Sequence, residues 1–290
     1  MKPIVIAGAV AAGMSAASQI KRKIPDAQVI VFGREPFISY GACGMPFYVS
    51  GEIEDYNRLM VLKPEKAIKE RKIDLRINHE VISIDKEKKQ VEVKDLKLNS
   101  TFIQDYEKLI IATGARAIMP PIPGIDLDGI FPLKELGDSI AINEFIEKEK
   151  PEKSVIIGGG FIGVEVAESF RKRGMSITLV EAASRILGVM DCDMSDLVVK
   201  EMERNEAVII TSDKVVGFEG DGKVKKVKLE SGKEIEADIV LLSIGVTPNS
   251  EIASNAGLEM GPRKTILADR YMKTSDPDIY AAGDCSTVYH

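Results

Sequence analysis

Residues 154–174 read SVIIGGGFIGVEVAESFRKRG, and the fold follows from them. A short apolar run leads into three glycines, and an amphipathic helix comes next. Strand, glycine turn and helix in that order open a βαβ dinucleotide-binding unit. Gly158, Gly160 and Gly163 complete the G-x-G-x-x-G spacing. The first glycine permits a tight turn, the second lets a pyrophosphate approach the backbone at the helix N-terminus, and the third lets helix pack on strand. The next apolar run, SITLVE, ends on Glu181, where a carboxylate takes ribose hydroxyls and repels a 2′-phosphate. NADH is therefore expected over NADPH, with Arg185 close by as the opposing charge.

The same order occurs at residues 3–20, PIVIAGAVAAGMSAASQI, with Val10 in place of the middle glycine between Gly8 and Gly13. Two further β-rich runs end in small-residue turns, YEKLIIATGARAIMPPIPG at 106–124 and TSDPDIYAAGDC at 274–285. The 290 residues, 44% of them hydrophobic, suffice for about two domains. Acidic residues number 45 and basic ones 39, for a net charge of -6 without long runs of one sign, which argues against a nucleic-acid partner. No apolar run reaches the roughly 18 residues of a membrane span, and the N-terminus reads as strand, turn and helix, so a cytoplasmic protein is expected. Cys43, Cys192 and Cys285 are widely separated and odd in number, with neither C-x-x-C nor zinc spacing. No metal site is expected, and any redox role falls to a single thiol.

The whole chain resembles the pyridine nucleotide-disulfide oxidoreductase superfamily, which binds FAD in one doubly wound domain and NAD(P)H in a second domain inserted into it. The order of motifs carries the resemblance: glycine turn, Cys43, ATGA, second glycine turn, GVTPN (residues 245–249) and AAGD (residues 281–284). It implies an α/β chain of two Rossmann-like domains: FAD-binding residues 1–112 and 245–290, with NADH-binding residues 113–244 between them. Gly8, Ala11, Ala12, Gly13, Arg34, Ser39 and Asp284 fall to FAD, and Thr113, Gly114 and Ala115 to the crossover. Gly158, Gly160, Phe161, Ile162, Gly163, Glu165, Glu181 and Gly245 complete the cofactor-binding set. Phe161 matches the aromatic residue that moves aside for nicotinamide, and Glu165 the acid near it; read alone, they are helix packing and a solvated first-turn carboxylate. Likewise Asp284 read alone is a turn aspartate.

Within that superfamily, SYGACGMP with one cysteine looks like the subgroup of coenzyme A-disulfide reductase, NADH oxidase, NADH peroxidase and persulfide or polysulfide reductase. Relatives with a redox disulfide carry a second cysteine five positions on, where this chain has Tyr48. The resemblance makes Cys43 the catalytic thiol beside the flavin, reduced by NADH through FAD and acting on a disulfide or persulfide. Cys192 and Cys285 read as small buried residues, the commonest fate of a cysteine. Ser15, Gln19, Arg22 and Lys72, with Ser39, match the positions that grip coenzyme A, although basic residues at helix ends also serve the helix dipole. Coenzyme A-linked sulfur is thus ranked first among oxidants and dioxygen second, for an NADH oxidase.

The chain departs from the subgroup at three places. Ala42 replaces an asparagine before the cysteine. Ala11 replaces the histidine of the peroxidases, and the two histidines, His79 and His290, lie in other motifs. Gly33 stands where relatives place the glutamate that holds the FAD adenosine ribose, leaving Arg34 or Glu35 to compensate. Relatives also continue past AAGD into a dimerisation domain, which the expected homodimer would need. A non-catalytic dinucleotide-binding remnant is therefore the second functional class. A proline- and glycine-rich crossover is expected at 118–129, and a hairpin in VISIDKEKKQVEVKDL at 81–96.

Overall fold

The computed structural model describes residues 2–287; Met1 and residues 288–290, His290 among them, lie outside. In chain order, β1 (Ile4–Ala7), α1 (Ala11–Lys23), β2 (Val29–Gly33), α2 (Met45–Val49), α3 (Pro64–Lys69), β3 (Asp74–Ile77), β4 (His79–Asp85), β5 (Gln90–Asp95), β6 (Ser100–Asp105) and β7 (Lys108–Ile111) come first. Then follow β8 (Ala115–Ala117), β9 (Ile130–Pro132), α4 (Leu136–Glu149), β10 (Lys153–Ile157), α5 (Phe161–Lys172), β11 (Ser176–Glu181), α6 (Cys192–Arg204) and β12 (Val208–Thr211). The chain continues through β13 (Val215–Asp221), β14 (Lys223–Leu229), β15 (Glu234–Glu236), β16 (Ile239–Leu242), β17 (Val246–Pro248), α7 (Glu251–Asn255) and β18 (Ile279–Ala281).

Two compact units result. The first comprises the residues up to Gly41, Met60–Arg116 and everything from Thr247 on; the second comprises Ala42–Leu59 and Ala117–Val246. The first unit holds a five-stranded parallel sheet in the order β18-β7-β1-β2-β3 and a three-stranded antiparallel sheet β4-β5-β6. The hairpin read at 81–96 forms, and Ser100–Asp105 adds a third strand to it. Residues of β1 alternate between two cores, as the pleat requires. Val5 and Ala7 join Val81, Val91, Val93, Tyr106 and Ile279, while Ile6 joins Met14, Ala17 and Val31. One face of the sheet is thus covered by the antiparallel ribbon and the other by α1. Burial on both faces explains why the strands are almost uninterrupted apolar runs rather than alternating ones.

The second unit repeats this plan. Its parallel sheet runs β12-β11-β10-β16-β9, and its antiparallel sheet is β13-β14-β15. Val155 and Ile157 of β10 pack with Phe218 and Val227 of the ribbon. Only the edge strand differs in origin: β9 precedes the rest of its sheet in sequence, whereas β18 follows the rest of its own.

In each unit the helix after the glycine turn lies against the central strand because glycines let backbone meet backbone. Gly8 (φ 119°) and Gly158 (φ 103°) hold conformations that a side chain disfavours. A β-carbon on Gly13 would lie 1.9 Å from the Gly8 carbonyl oxygen, and one on Gly163 2.1 Å from that of Gly158. No larger residue fits either place.

The segment Ala42–Leu59 carries Cys43 on a single 3-10 turn, Ala42–Gly44, followed by α2. Within the second unit, α2 packs on α4 and α5. Buried Ser169 of α5 donates its hydroxyl to the Pro46 carbonyl at 2.9 Å. Around this bond, Lys172 pairs with Glu52, and a β-carbon on Gly51 would meet the Arg173 guanidinium at 2.8 Å. The Cys43 segment is therefore fastened to the helix that begins at the second glycine turn.

Two substitutions test these contacts by urea unfolding. Gly158→Ala is expected to cost more than about 2 kcal/mol, from strain at positive φ together with a β-carbon 2.5 Å from the Ser243 carbonyl oxygen. Ser169→Ala is expected to cost about 1 kcal/mol and to speed proteolysis within residues 42–59, because the Pro46 carbonyl loses its donor.

Candidate functional site

The second unit gathers its predicted site residues at the carboxyl ends of β10, β11 and β16. Turns leave the adjacent strands β10 and β16 there, at the point where the strand order reverses and a crevice opens. A β-carbon on Gly158 would collide with Ser243 after β16, whereas one on Gly160 would meet nothing within 4 Å. Gly158 thus serves the close approach of two turns, and Gly160 keeps the entrance to α5 open. Gly160 caps α5 with extended backbone, so the first amide groups of the helix face that opening. Glu181 ends β11 half-buried, with one carboxylate oxygen accepting from the Gly159 amide at 2.7 Å and the other from Ala183 at 2.8 Å. This fixes the carboxylate beside the glycine turn, as a ribose-binding acid requires. Arg185 is exposed four residues on. Phe161 is 56% exposed at the start of α5, and Ile162 and Glu165 are exposed in the same first turns. Gly245 (φ 114°) accepts the Ile118 amide at 3.0 Å through its carbonyl.

In the first unit the corresponding residues converge at the ends of β1, β7 and β18. A β-carbon on Gly8 would stand 2.0 Å from the Ala112 carbonyl oxygen, and one on Gly283 3.0 Å from the Ala12 β-carbon. The AAGD turn therefore lies against the start of α1, with Asp284 exposed beside it. Val10 caps α1, and Ala11 is exposed in its first turn. The Ser39 amide donates to the Ala9 carbonyl at 3.0 Å and its own carbonyl accepts Val61, so the loop toward Cys43 leaves and returns beside this turn. Thr113 donates its hydroxyl to the Asn249 carbonyl at 2.5 Å, and Gly114 accepts the Asn249 amide at 2.9 Å. Ala115 is buried next to them. Both glycine turns fit an adenine dinucleotide: each makes a forced close approach, and each helix begins with an exposed residue, Ala11 or Phe161. They differ at the acid. Gly8 donates to Phe32 as Gly158 donates to Val180, so Gly33 is the positional equivalent of Glu181. Arg34 follows it, exposed, and the Glu35 carboxylate accepts the Tyr40 hydroxyl at 3.1 Å.

Cys43 is an exposed thiol. Tyr48, five residues on, is buried and meets Tyr56 edge to face at 6.1 Å. Cys285 is buried under the AAGD turn, and burial pushes its thiol pKa up. Cys192 departs from its sequence reading: it starts α6, which buries only Ser195, and so it is exposed. Among the described residues, no group of three or more side chains could hold a metal ion.

Of the residues matched to coenzyme A binding, Ser15, Gln19 and Arg22 lie at i, i+4 and i+7 on α1, and all three are exposed. Helical spacing puts them on one face. Lys72 (φ 51°) lines a cavity of about 390 Å³ with Lys21, Gln28 and Asp74 rather than with Arg22. Lys21 is already engaged there, donating to Pro25 and Ala27 carbonyls at 2.5 and 2.9 Å.

Sequence reasoning passed over three residues that build these turns. The Ser243 hydroxyl donates to the carbonyls of Ile157 and Gly158. Asn249 links the Thr113 carbonyl to Arg116, and Ser169 anchors the Cys43 segment. Asn249 was visible as the last residue of GVTPN; Ser243 and Ser169 carry no local signal.

The protein-family model for pyridine nucleotide-disulphide oxidoreductases matches residues 2–290. The chain is 37% identical over 290 residues to the NAD(P)H sulfur oxidoreductase (CoA-dependent) of Pyrococcus abyssi, which covers 100% of this chain and 64% of that protein. The reduced Bacillus anthracis CoADR-RHD structure superposes with a TM-score of 0.95 at 37% identity, covering 98% of this chain and 51% of that one. The water-forming NADH oxidase from Lactobacillus brevis bound to NADH gives 0.92 at 30% identity, covering 99% and 63%. The chain spans about two thirds or less of each of these relatives. With both glycine turns and a match along nearly its whole length, the chain belongs to the pyridine nucleotide-disulphide oxidoreductase family.

Proposed function

We propose that this chain forms the two dinucleotide-binding domains of an NADH-dependent flavoprotein that reduces a small disulfide or persulfide at Cys43. FAD falls to residues 1–112 and 245–290, and NADH to residues 113–244, with Ala42–Leu59 of the first stretch packed into the second unit. The observation that carries the reading is Cys43 itself, an exposed thiol on a short turn bolted through Pro46 and Ser169 to the helix that opens at the G-x-G-x-x-G turn. Coenzyme A-linked sulfur is the preferred substrate class. Supporting it are the exposed polar face of Ser15, Gln19 and Arg22 and the similarity to a CoA-dependent sulfur oxidoreductase. An NADH oxidase is the second reading, favoured by the likeness to the water-forming enzyme. The whole protein is expected to be a cytoplasmic homodimer without a nucleic-acid partner.

The bound dinucleotides supply a two-electron path from NADH. The chain supplies the sulfur chemistry. The Cys43 thiolate attacks one sulfur of the substrate disulfide, forming a mixed disulfide and releasing the other half as a thiolate that takes up a proton. Two electrons from NADH and one proton then break the mixed disulfide, which returns the Cys43 thiolate and frees the second thiol. The net change is one NADH and one proton consumed per disulfide cleaved to two thiols. Exposure suits this role, because the sulfur must reach a substrate sulfur in line. Glu181 holds the ribose of NADH, and the open entrance at Gly160 admits its pyrophosphate.

Cys43→Ser is expected to lower disulfide and persulfide turnover by at least about a hundredfold. Bleaching of the visible flavin absorbance by NADH should persist. Full disulfide reduction by that variant, or loss of it in Cys192→Ser instead, overturns the assignment. Glu181→Ala is expected to narrow the NADH to NADPH ratio of kcat/KM about tenfold, as removing a like charge worth about 1.4 kcal/mol would do. An unchanged ratio contradicts NADH selection by that carboxylate.

A further inference from the structure

The two glycine turns differ at two coupled positions. In the second unit Gly159 follows the first glycine, and its amide donates to Glu181 at 2.7 Å. In the first unit Ala9 follows the first glycine, and Gly33 stands in place of the acid. Ala9 is 3% exposed, and a β-carbon on Gly33 would lie 2.7 Å from the Ala9 β-carbon, closer than two side-chain carbons can stand. Gly33 itself is buried in β2. Its neighbour there is the methyl of a short side chain, which cannot swing aside. The methyl at 9 and the acid at 33 are therefore mutually exclusive on this backbone; in the second unit a β-carbon on Gly159 would first meet Ile186, at 2.5 Å.

We infer that Ala9 and Gly33 are a paired substitution that removes the ribose-clamping carboxylate from the first dinucleotide site, so that this chain binds its flavin as an exchangeable ligand rather than a permanently held one. The inference rests on the assignment of FAD to the first unit. An acid that accepts from both ribose hydroxyls contributes charge-assisted hydrogen bonds, the stronger class of such bonds. Without it, the glycine turn and the AAGD turn hold the dinucleotide by its pyrophosphate and by Asp284. The pairing also explains why an acid cannot be regained by a single change: glutamate at 33 meets Ala9, and glycine at 9 alone brings no carboxylate.

Four proteins test this: the unaltered chain, Ala9→Gly, Gly33→Glu and the double variant, each stripped of flavin. Two quantities are read, the dissociation constant for FAD from flavin fluorescence and the thermal midpoint of the flavin-free protein. The expected result is a lowered midpoint without tighter binding in Gly33→Glu. In the double variant the midpoint should recover relative to Gly33→Glu, and FAD should bind at least about tenfold more tightly than to the unaltered chain. The inference falls if Gly33→Glu alone binds FAD as tightly as the double variant, or if the double variant binds no tighter than the unaltered chain. If none of the four binds FAD while all fold, the FAD assignment itself is wrong, and the inference falls with it. Tight binding in the unaltered chain that survives prolonged dialysis overturns exchangeability while leaving the assignment standing.

Discussion

The carbonyl oxygens of Ala112 and Ser243 stand where β-carbons on Gly8 and Gly158 would have to be. That approach of backbone to backbone is the constraint on which the rest of each unit depends. It lets the turn after the central strand lie against the turn after its neighbour, and it sets the helix that follows hard on the sheet through Gly13 or Gly163. In each unit, once that helix is so placed, its N-terminus and the strand ends define a crevice. The polar residues around each crevice need only to hold the turns in place. Ser243 does so from the turn after β16, and Asn249 does so for Thr113 and Gly114.

Since the same constraint operates twice, the two units share far more than a glycine motif. Both have a five-stranded parallel sheet with the glycine-turn strand at its centre and a three-stranded antiparallel ribbon covering one face. Their glycine turns differ at the residue after the first glycine and at the end of the next strand. Glu181 stands beside Gly159, and Gly33 beside Ala9.

The parts of this plan that were legible in the sequence are those with a local physical cause. Glycine at positive φ, a short apolar strand and an acid at a strand end are read within about thirty residues, and both dinucleotide turns and the α/β class follow from them. The third strands of the ribbons were not legible. Ser100–Asp105 reads STFIQD, without the clean alternation of its neighbour QVEVKD, and it is a strand because β5 offers it an open edge. The packing of Ala42–Leu59 into the second unit was also hidden, since its anchor is a hydroxyl on Ser169, far away in sequence. Cys192 was misread because a cysteine's usual burial says nothing of a helix that buries one serine. The incompatibility of Ala9 with a residue at 33 exists only across two adjacent strand ends, and no spacing rule reports it.

The late position of β18 gives the two units different histories on the ribosome. Every strand of the second unit's parallel sheet lies between Ile130 and Leu242, so that sheet can close as soon as β16 has emerged. The first unit cannot. Its edge strand, Ile279–Ala281, pairs with Lys108–Ile111, and its core draws Ile279, Ala281 and Cys285 together with Val5 and Ala7 from the opposite end of the chain. A nascent chain therefore carries a half-made first-unit sheet, with the flank of β7 unpaired, while the strands of the second unit's parallel sheet are being made. Such an edge is a template for pairing with another chain. Completion of the first unit is thereby tied to translation reaching the AAGD turn, so that the first dinucleotide crevice comes into being only when nearly all of these residues have been made.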